Sequence, residues 1–310
     1  MSDDGELREG VVVLPDSFEI EDRTAREDAE RLIEDAGRMG CMAALRSHKH
    51  NVDYLVNPTR TKYVDLLGLR PTDEVLEIGS SMGQHTRLIA ARAGRVSALE
   101  VVRFQSEFSK LWCDEEGLRN VRFTAGGGSG HLPYDDGIFD VVISNYVLEW
   151  CAGRSGRDAN DVHRDQLAEI RRVLKPGGRL FLTTKNRFAL KYVTGIEDEH
   201  LGIRFGSALP RWLQKRLARP AGPVHSPGHL HSWAGLRSLL VEAGFRKMDP
   251  LFAFPDARYP LYLGRDEDFS LAALSAEDRA KLNRRDRLLA GLPRAVRLMF
   301  SNSLVFMATA

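Results

Sequence analysis

The amino-acid sequence predicts an α/β fold in which helices cover both faces of a parallel sheet. Short apolar segments of strand character alternate regularly with helical segments between about residues 74 and 185. Parallel strands need crossover connections of this kind, since a tight turn cannot join them. The 310 residues are 43% hydrophobic, which is enough for the large core that such a sheet requires.

A helical cap is predicted ahead of the sheet. Residues 1–10 are expected to be disordered, and helical patterns follow at 24–46 and in TKYVDLLGL. A glycine and a proline stop the second pattern shortly afterwards. We therefore assign residues 1–66 to an N-terminal helical cap and residues 67–310 to the core.

Five strands with helices between them make up the alternating region: EVLEI, RVSALE, NVRFTA, FDVVISN and RLFLTT. Two later segments are candidates for further strands, FRKMDPLFAF and the apolar, β-branched SLVFMATA. The regular pattern is interrupted at 186–231 and at 256–300. We interpret these two stretches as insertions in the core.

Composition narrows the class of protein. The chain has 44 basic and 43 acidic residues, and a net charge of +1 exerts no overall attraction on nucleic acid. Its three cysteines, Cys41, Cys113 and Cys151, are far apart and form no CxxC pair, which suits a reducing compartment. No apolar run reaches transmembrane length, and the first residues lack the apolar region of a signal peptide. The sequence therefore predicts a cytoplasmic protein without a membrane segment.

The turn after the first core strand predicts a nucleotide-like ligand. Gly79 and Gly83 bound it, and a helix follows whose N-terminus offers free N–H groups. Ser81 stands where the dinucleotide fingerprint G-x-G-x-x-G has its middle glycine, so close approach of a pyrophosphate is hindered. Glu77 would repel a pyrophosphate and attract an ammonium group, while Glu100 ends the next strand, where an acid can accept ribose hydroxyls. These features indicate a ligand with a ribose and a positively charged amino-acid end.

Four ordered motifs carry a family resemblance. VLEIGSSMG resembles the first motif of class I S-adenosylmethionine-dependent methyltransferases, and LPYDDGIFDVVISNYVLEW continues the match. EIRRVLKPGGRLFLTT resembles the helix-to-strand signature of their type 11 group, so the resemblance covers about residues 70–185. It implies a Rossmann-like sheet of seven strands, whose last strand is antiparallel, lies beside the fifth and fits SLVFMATA. It also implies S-adenosylmethionine as cofactor and S-adenosylhomocysteine as product.

The resemblance implies the cofactor-binding residues. The residues at the end of the first core strand and in the turn after it would contact the methionine part of the cofactor, and Glu100 would bind the ribose. Gly128 stands where many members have aspartate, so Ser129 or a backbone amide would bind the adenine instead. Tyr146 would face the sulfonium, although a role as a core aromatic is an open alternative. The full predicted set is Glu77, Gly79, Ser80, Gly83, Glu100, Val101, Gly128, Ser129, Asn145 and Tyr146.

Three residues are candidates for catalysis: His200, Asn145 and Glu149. The segment around His200 resembles one that follows the fifth strand in methyltransferases associated with bacterial glycan and glycoside synthesis. That resemblance implies a substrate-pocket wall at 186–206, where His200 would act as a base or would only hydrogen-bond the loop. No metal site is predicted, because the spacing in HSPGHLHS matches no zinc pattern and the segment contains no acid.

The preferred function is O-methylation of a sugar-like or secondary-metabolite small molecule. The N-terminal cap and the two insertions would form the acceptor pocket, and their aromatic residues and glycines suit such an acceptor. N-methylation, RNA modification and a non-catalytic S-adenosylmethionine-binding partner domain are the alternatives. The sequence leaves open whether the chain forms a homo-oligomer.

Overall fold

The structure is a computed structural model that describes residues 5–153, 155–199, 202–217 and 228–310. These residues divide into two compact units. The first unit contains the described residues up to Ser144 together with Arg172–Arg179. The second contains Asn145–Arg171 and the described residues from Leu180 onward.

The first unit is built on a largely parallel sheet. Its strands follow the order β1-β2-β5-β4-β3-β6-β7, and the neighbouring pairs from β2 to β6 are parallel. Strands β1 and β2 form an antiparallel pair at the edge. The strands are β1 Glu6–Arg8, β2 Val11–Val13, β3 Glu74–Ile78, β4 Arg95–Glu100, β5 Val121–Ala125, β6 Phe139–Asn145 and the first half of β7 Leu174–Lys185.

Helices of the first unit pack beside this sheet. The helical pattern predicted for 24–46 is confirmed, although it breaks into two helices at Gly40, whose φ is 90°. Leu32 and Leu45 from these two helices pack in one core with Phe108 and Trp112. The helices are α1 Arg23–Met39, α2 Cys41–Ser47, α3 Val52–Val56, α4 Lys62–Leu66, α5 Thr86–Ala90 and α6 Arg103–Glu115.

The N-terminal segment differs from the sequence prediction. Residues 6–8 were expected to be disordered but form β1, so that prediction is wrong there. This strand has no hydrophobic pattern that would predict it from the sequence, because its Leu7 is 70% exposed. It forms through pairing with β2, whose fully buried Val11 lies in register with Phe123.

The second unit carries the remaining strands. Strand β12 lies between the second half of β7 and β10, and it runs antiparallel to β10. This confirms that the last predicted strand lies beside the fifth core strand. The strands are β8 Glu197–Asp198, β9 Ile203–Arg204, β10 Lys247–Phe254, β11 Tyr262–Arg265 and β12 Ser303–Thr309, of which β8 and β9 form a separate pair.

Helices fill the space around these strands. Phe252 and Phe254 of β10 pack with Phe269, Leu289 and Leu298, so the second predicted insertion shares a core with this strand. The helices are α7 Ala159–Val173, which ends in the first unit, α8 Leu190–Val193, α9 Arg211–Leu217, α10 Trp233–Glu242, α11 Ala276–Lys281, α12 Arg284–Gly291 and α13 Arg294–Phe300.

The fold is the predicted Rossmann-like α/β class. The seven predicted strands correspond to β3 to β7, β10 and β12. Within the described residues β1, β2 and β11 extend the set at its edges, which the sequence did not predict. The proposed domain division at residue 66 stays a prediction.

Candidate functional site

The turn between β3 and α5 is held by unusual backbone angles. Gly79, Ser81 and Gly83 all have positive φ, at 74°, 49° and 84°. Such a conformation costs little for glycine but is strained for serine. The amides of Gly79 and Ser80 donate to the carbonyl oxygen of Leu99 at 2.8 and 3.2 Å. The turn is therefore folded onto the end of β4.

Gly83 has a packing reason in addition to its φ. A Cβ atom there would lie 2.5 Å from Ser109 Oγ and 2.9 Å from Ser109 Cα. Because one of these atoms is backbone, α6 could not keep its position against a side chain. The structure thus explains this glycine by the close approach of a helix. The predicted contact of Gly83 with a ligand stays a prediction.

Glu77 is a buried carboxyl at the end of β3. Only 3% of it is exposed, and Thr86 Oγ1 donates to its Oε2 at 2.6 Å. Burial raises the pKa of Glu77 to about 8, and the charge of Glu100 adds to that effect. A cation placed beside Glu77 would lower this pKa and stabilise the carboxylate.

Glu100 is the last residue of β4, two positions beyond Ala98, the residue in register with Glu77. It is 6% exposed, and its two oxygens each accept one backbone hydrogen bond. Oε2 accepts from Ser81 N at 2.8 Å, and Oε1 accepts from Val102 N at 3.1 Å. Burial raises the pKa of this carboxyl. A carboxylate has about four acceptor positions, so acceptor capacity remains for ligand hydroxyl groups.

Three buried polar atoms of this turn lack protein partners. Ser80 Oγ, Gln84 Oε1 and His85 Nε2 are buried without a hydrogen bond among the described residues. Buried polar groups are normally satisfied, so orphaned atoms in a glycine turn fit a ligand-binding place. Ser80 belongs to the predicted set, whereas Gln84 does not. Its polar side chain directly after Gly83 was the available signal in the sequence.

The glycine loop after β5 is held by an acid from far away in the sequence. Asp16 accepts hydrogen bonds from Gly127 N at 3.1 Å, from Ser129 N at 3.0 Å and from Ser129 Oγ at 2.7 Å. Burial would raise the pKa of Asp16, but these hydrogen bonds outweigh it and lower that pKa. A Cβ atom on Gly128 would lie 2.5 Å from the carbonyl oxygen of Asp16. The absence of a side chain at Gly128 therefore makes room for the N-terminal segment around Asp16. The carboxylate of Asp16 lies beside this loop.

In the second unit, the residue after β6 is strained. Tyr146 has φ 60°, which is uncommon for a bulky residue and is found at functional sites. Its amide donates to Thr183 O at 2.8 Å, and its Oη lies 2.7 Å from Ser303 Oγ. Burial raises the pKa of its phenol, and the Arg258 guanidinium lies 5.7 Å from the ring centroid. Asn145 directly precedes it as the last residue of β6.

Glu149 is a second buried carboxyl of this unit. It is 1% exposed, Thr184 Oγ1 donates to its Oε2 at 2.6 Å, and its Oε1 is buried without a partner. Burial raises the pKa of Glu149.

Lys185 follows Thr184 in the chain and is only 5% exposed. Its Nζ lies 2.9 Å from Glu199 Oε2. Burial lowers the pKa of Lys185.

The predicted base and part of the histidine segment cannot be placed. His200 and His225 lie outside the described residues. The structure brings His229 and His231 together with His163 of α7, which the sequence reasoning missed. Within the described ranges, no group of three or more His, Cys, Asp and Glu side chains is placed to hold a metal ion.

A cavity of about 280 Å³ lies in the second unit. Its lining comes from both predicted insertions, from the residue before the second insertion and from the residue before β12, with charges of both signs. The lining residues are Leu190, Lys191, Ile196, Pro255, Asp256, Asn283, Arg285, Asp286 and Asn302.

In the part of the chain that the structure describes, no helix has the length and apolar character to cross a bilayer.

Comparisons with known proteins agree with the motifs. Residues 76–182 match the family model Methyltransf_11, described as a methyltransferase domain. Protein-L-isoaspartate O-methyltransferase 1 of Polaromonas sp. (strain JS666 / ATCC BAA-500) is 38% identical over 79 residues, which cover 26% of this chain and 33% of that protein. Demethylmenaquinone methyltransferase of Tropheryma whipplei (strain Twist) is 28% identical over 187 residues, covering 58% of this chain and 70% of that protein. The match therefore spans a third of the length of the first relative.

Solved structures agree at the level of the fold. A phosphoethanolamine N-methyltransferase 2 of Haemonchus contortus, solved with phosphomonomethylethanolamine and S-adenosylhomocysteine, superposes with a TM-score of 0.51 at 13% identity. The superposition covers 90% of this chain and 59% of that one. At this identity the likeness supports the fold alone.

Proposed function

We propose that the chain as a whole is a class I S-adenosylmethionine-dependent methyltransferase, since its residues 76–182 match the model of a methyltransferase domain. The observation that carries the proposal is a pair of buried carboxyls at the ends of neighbouring parallel strands. Glu77 is the penultimate residue of β3 and Glu100 the last residue of β4, and both lie beside a turn with positive φ at Gly79 and Ser81. This arrangement suits a ligand that has an ammonium group and a ribose.

The residues of the first unit fit the cofactor. S-adenosylmethionine, when bound, supplies a methyl group that its sulfonium makes electrophilic. Glu77, with its pKa raised to about 8, would hold the ammonium group, because an adjacent cation favours the charged carboxylate. Glu100 would accept the ribose hydroxyls, with Val101 beside it in the chain. The buried side-chain oxygens of Ser80 and Gln84 would form hydrogen bonds with the amino-acid end of the cofactor.

The adenine contacts are proposed for the loop after β5. Ser129 Oγ already donates to Asp16, so its amide and hydroxyl are both engaged there. Gly128 would approach the ring by its backbone, since a side chain at this position would clash with residue 16. The Asp16 carboxylate is then the acceptor best placed for the amino group of adenine.

Catalysis would rest on residues of the second unit. Asn145 and Tyr146 would orient the reacting groups, and Glu149 would accept the proton of an acceptor hydroxyl through its unpartnered Oε1. A buried carboxyl with a raised pKa is a stronger base when ionised than an ordinary one. His200 is the alternative base, and variants of the two residues separate these roles. The residue that acts as base should lower turnover when replaced, with unchanged affinity for S-adenosylhomocysteine.

The acceptor would be a polar small molecule, and we favour O-methylation of a sugar-like compound or a secondary metabolite. The cavity in the second unit supports this, since six of its nine lining residues are polar or charged: Lys191, Asp256, Asn283, Arg285, Asp286 and Asn302. Polar and charged groups of this kind suit an acceptor with several hydroxyl groups better than an apolar one.

The test is methyl transfer by the purified protein to panels of glycosides and phenolic metabolites. Release of S-adenosylhomocysteine together with a mass increase of one methyl group on an acceptor is expected. Glu77→Gln should remove activity, while Glu74→Gln on the same strand should retain it. Failure of the wild-type protein to bind S-adenosylhomocysteine in calorimetry would overturn the proposal. Binding without turnover on any acceptor would favour the non-catalytic alternative.

A further inference from the structure

Two half-buried arginines of the second unit, Arg187 and Arg211, donate their hydrogen bonds to neutral oxygens in the described part of the chain. Arg187 donates from Nε to Ser207 O at 2.8 Å and from Nη2 to Leu209 O at 2.6 Å. Arg211 donates from Nη1 to Gln214 Oε1 at 3.0 Å and from Nη2 to a main-chain carbonyl, that of Leu230. Among the described residues, neither guanidinium has a carboxylate oxygen within the 4.0 Å of an ion pair.

This lack of pairing is unusual for charges removed from water. An exposed arginine of the same unit, Arg164, has carboxylate oxygens of Asp161 and Glu242 at 2.7 and 2.8 Å. Burial and the charge of Arg187 together lower the pKa of Arg211 to about 10, so the two guanidiniums repel each other, and the charges of Asp158 and Asp198 offset this only in part. Desolvated charges are normally paired, so these two indicate a place for an anion.

Three histidines are close to the same arginines. The main-chain amide of Arg187 donates to the main-chain carbonyl of His231 at 2.8 Å, and the carbonyl that accepts from Arg211 belongs to the residue between His229 and His231. The rings of His163, His229 and His231 have centroids 5.0 to 5.6 Å apart. Burial and the charge of Arg211 lower the pKa of all three imidazoles, which are therefore neutral near pH 7.

The imidazoles supply an independent sign of a ligand. His163 is fully buried, and its Nε2 has no hydrogen-bond partner, nor does the buried Nε2 of His229. His163 Nδ1 is engaged with His231 Nε2 at 2.7 Å. When His163 Nδ1 accepts that bond, its Nε2 carries the proton and is an unused donor.

The chemistry of the group favours an anion over a cation. A metal ion would be repelled by the two guanidiniums, and one nitrogen of His163 and one of His231 are occupied by each other. An oxyanion would instead accept from the unused imidazole nitrogens and offset the two positive charges.

We propose that Arg187, Arg211, His163 and His229 form a binding site for a compact oxyanion, a phosphate monoester or a carboxylate, carried by the small-molecule acceptor. The identification of the ligand as the acceptor rests on the proposed function. The existence of the anion site does not.

The test is a titration of the full chain with inorganic phosphate, with acetate, and with chloride at matched ionic strength. Histidine side-chain NMR in the absence of cofactor reports the imidazoles directly. Saturable shifts of the His163 and His229 resonances are expected with phosphate or acetate and not with chloride. Whichever of the two binds more tightly identifies the ester or the carboxylate.

Matched variants separate a site from general charge effects. Arg211→Met should weaken the binding at least tenfold, Arg211→Lys should retain part of it, and Arg164→Met should leave it unchanged. Wild-type protein that shows no saturable shift with either oxyanion would overturn the inference, whether or not the variants fold. Equal affinity in folded Arg211→Met would overturn it as well.

The outcome is distinguishable from that of the proposed function. Anion binding by a protein that never transfers a methyl group would contradict the methyltransferase proposal alone. Methyl transfer by a protein whose His163 and His229 resonances do not shift with either oxyanion would contradict the anion site alone.

Discussion

Glu77 is a buried carboxyl whose charge depends on what lies beside it. In the absence of a neighbouring cation, burial raises its pKa to about 8, well above that of an unfolded chain. The folded protein therefore holds a proton on Glu77 between about pH 4.5 and 8 that the unfolded chain releases. Its contribution to stability is present at low pH and is lost as the pH rises through that window.

The first prediction concerns this pH dependence. Glu77→Gln removes the titrating group, so the ligand-free variant should lose less thermal stability than the wild type between pH 6 and 8. Melting temperatures measured across that range check it. Buried carboxyls that do not interact with Glu77 contribute equally to both proteins, so only the difference between the two curves is interpreted. Parallel curves for wild type and variant would contradict the raised pKa.

The second prediction concerns Glu100. Removing an acceptor of two ribose hydrogen bonds should weaken S-adenosylhomocysteine binding at least tenfold in Glu100→Ala, or about 1.4 kcal/mol. Isothermal calorimetry measures this, with Glu74→Ala as the matched control on the neighbouring strand. Glu74 is partly exposed and makes only a surface ion pair with Arg95 at 3.3 Å. Unchanged affinity in a folded Glu100→Ala protein would refute the ribose assignment.

At the scale of elements, the turn from β3 to α5 depends on how closely α6 approaches it. The third prediction is that Gly83→Ala destabilises the protein by about 2–4 kcal/mol, since the clash with Ser109 adds to the strain of a positive φ. Gly68→Ala is the control, because Gly68 has φ 54° but nothing within 4 Å of an added Cβ. It should lose only about 1 kcal/mol. Urea unfolding measures both, and equal losses would show that packing against α6 is unimportant.

The core strands were predictable because each carries its signal locally. The residues of β3 after Glu74 are all buried, and a contiguous buried run of this kind follows from short sequence windows. The N-terminal strands are different, because Leu7 is largely exposed and β1 exists only through pairing with β2. A strand of that kind has no hydrophobic pattern to read.

The site was predictable to the same extent. Glu77 and Glu100 follow from strand ends and glycine spacing. The contact of Asp16 with Ser129 joins residues 113 positions apart, and His163 reaches His231 across 68 positions. Nothing in a single sequence indicates such pairs, because they arise from tertiary packing.

The whole molecule has nearly equal numbers of acidic and basic residues, so its net charge gives no general attraction for nucleic acid. A net charge of +1 provides little of the counterion release that dominates non-specific nucleic-acid binding. The fourth prediction is that transfer RNA shows no saturable binding at about 150 mM salt, in contrast to an RNA-modifying enzyme. A filter-binding series over salt concentration checks this. Tight binding with a steep salt slope would restore RNA modification as the function.

Ligand linkage also acts on the whole chain. The fifth prediction is that S-adenosylhomocysteine at one hundred times its dissociation constant stabilises the folded state by about 2.7 kcal/mol. Differential scanning calorimetry would record this as a higher melting temperature, and Glu100→Ala should respond less at the same concentration. A melting temperature indifferent to the ligand would contradict specific binding to the native state.

The hydrogen bonds from the β5 loop to Asp16 have a consequence for how this protein is handled. The stretch that reaches over Gly128 precedes the first helix and is a natural target for trimming or for a fused affinity peptide. Cleavage just after residue 16 would remove three hydrogen bonds from that loop at once. If this loop binds the adenine as proposed, preparations shortened in this stretch should bind S-adenosylhomocysteine less tightly.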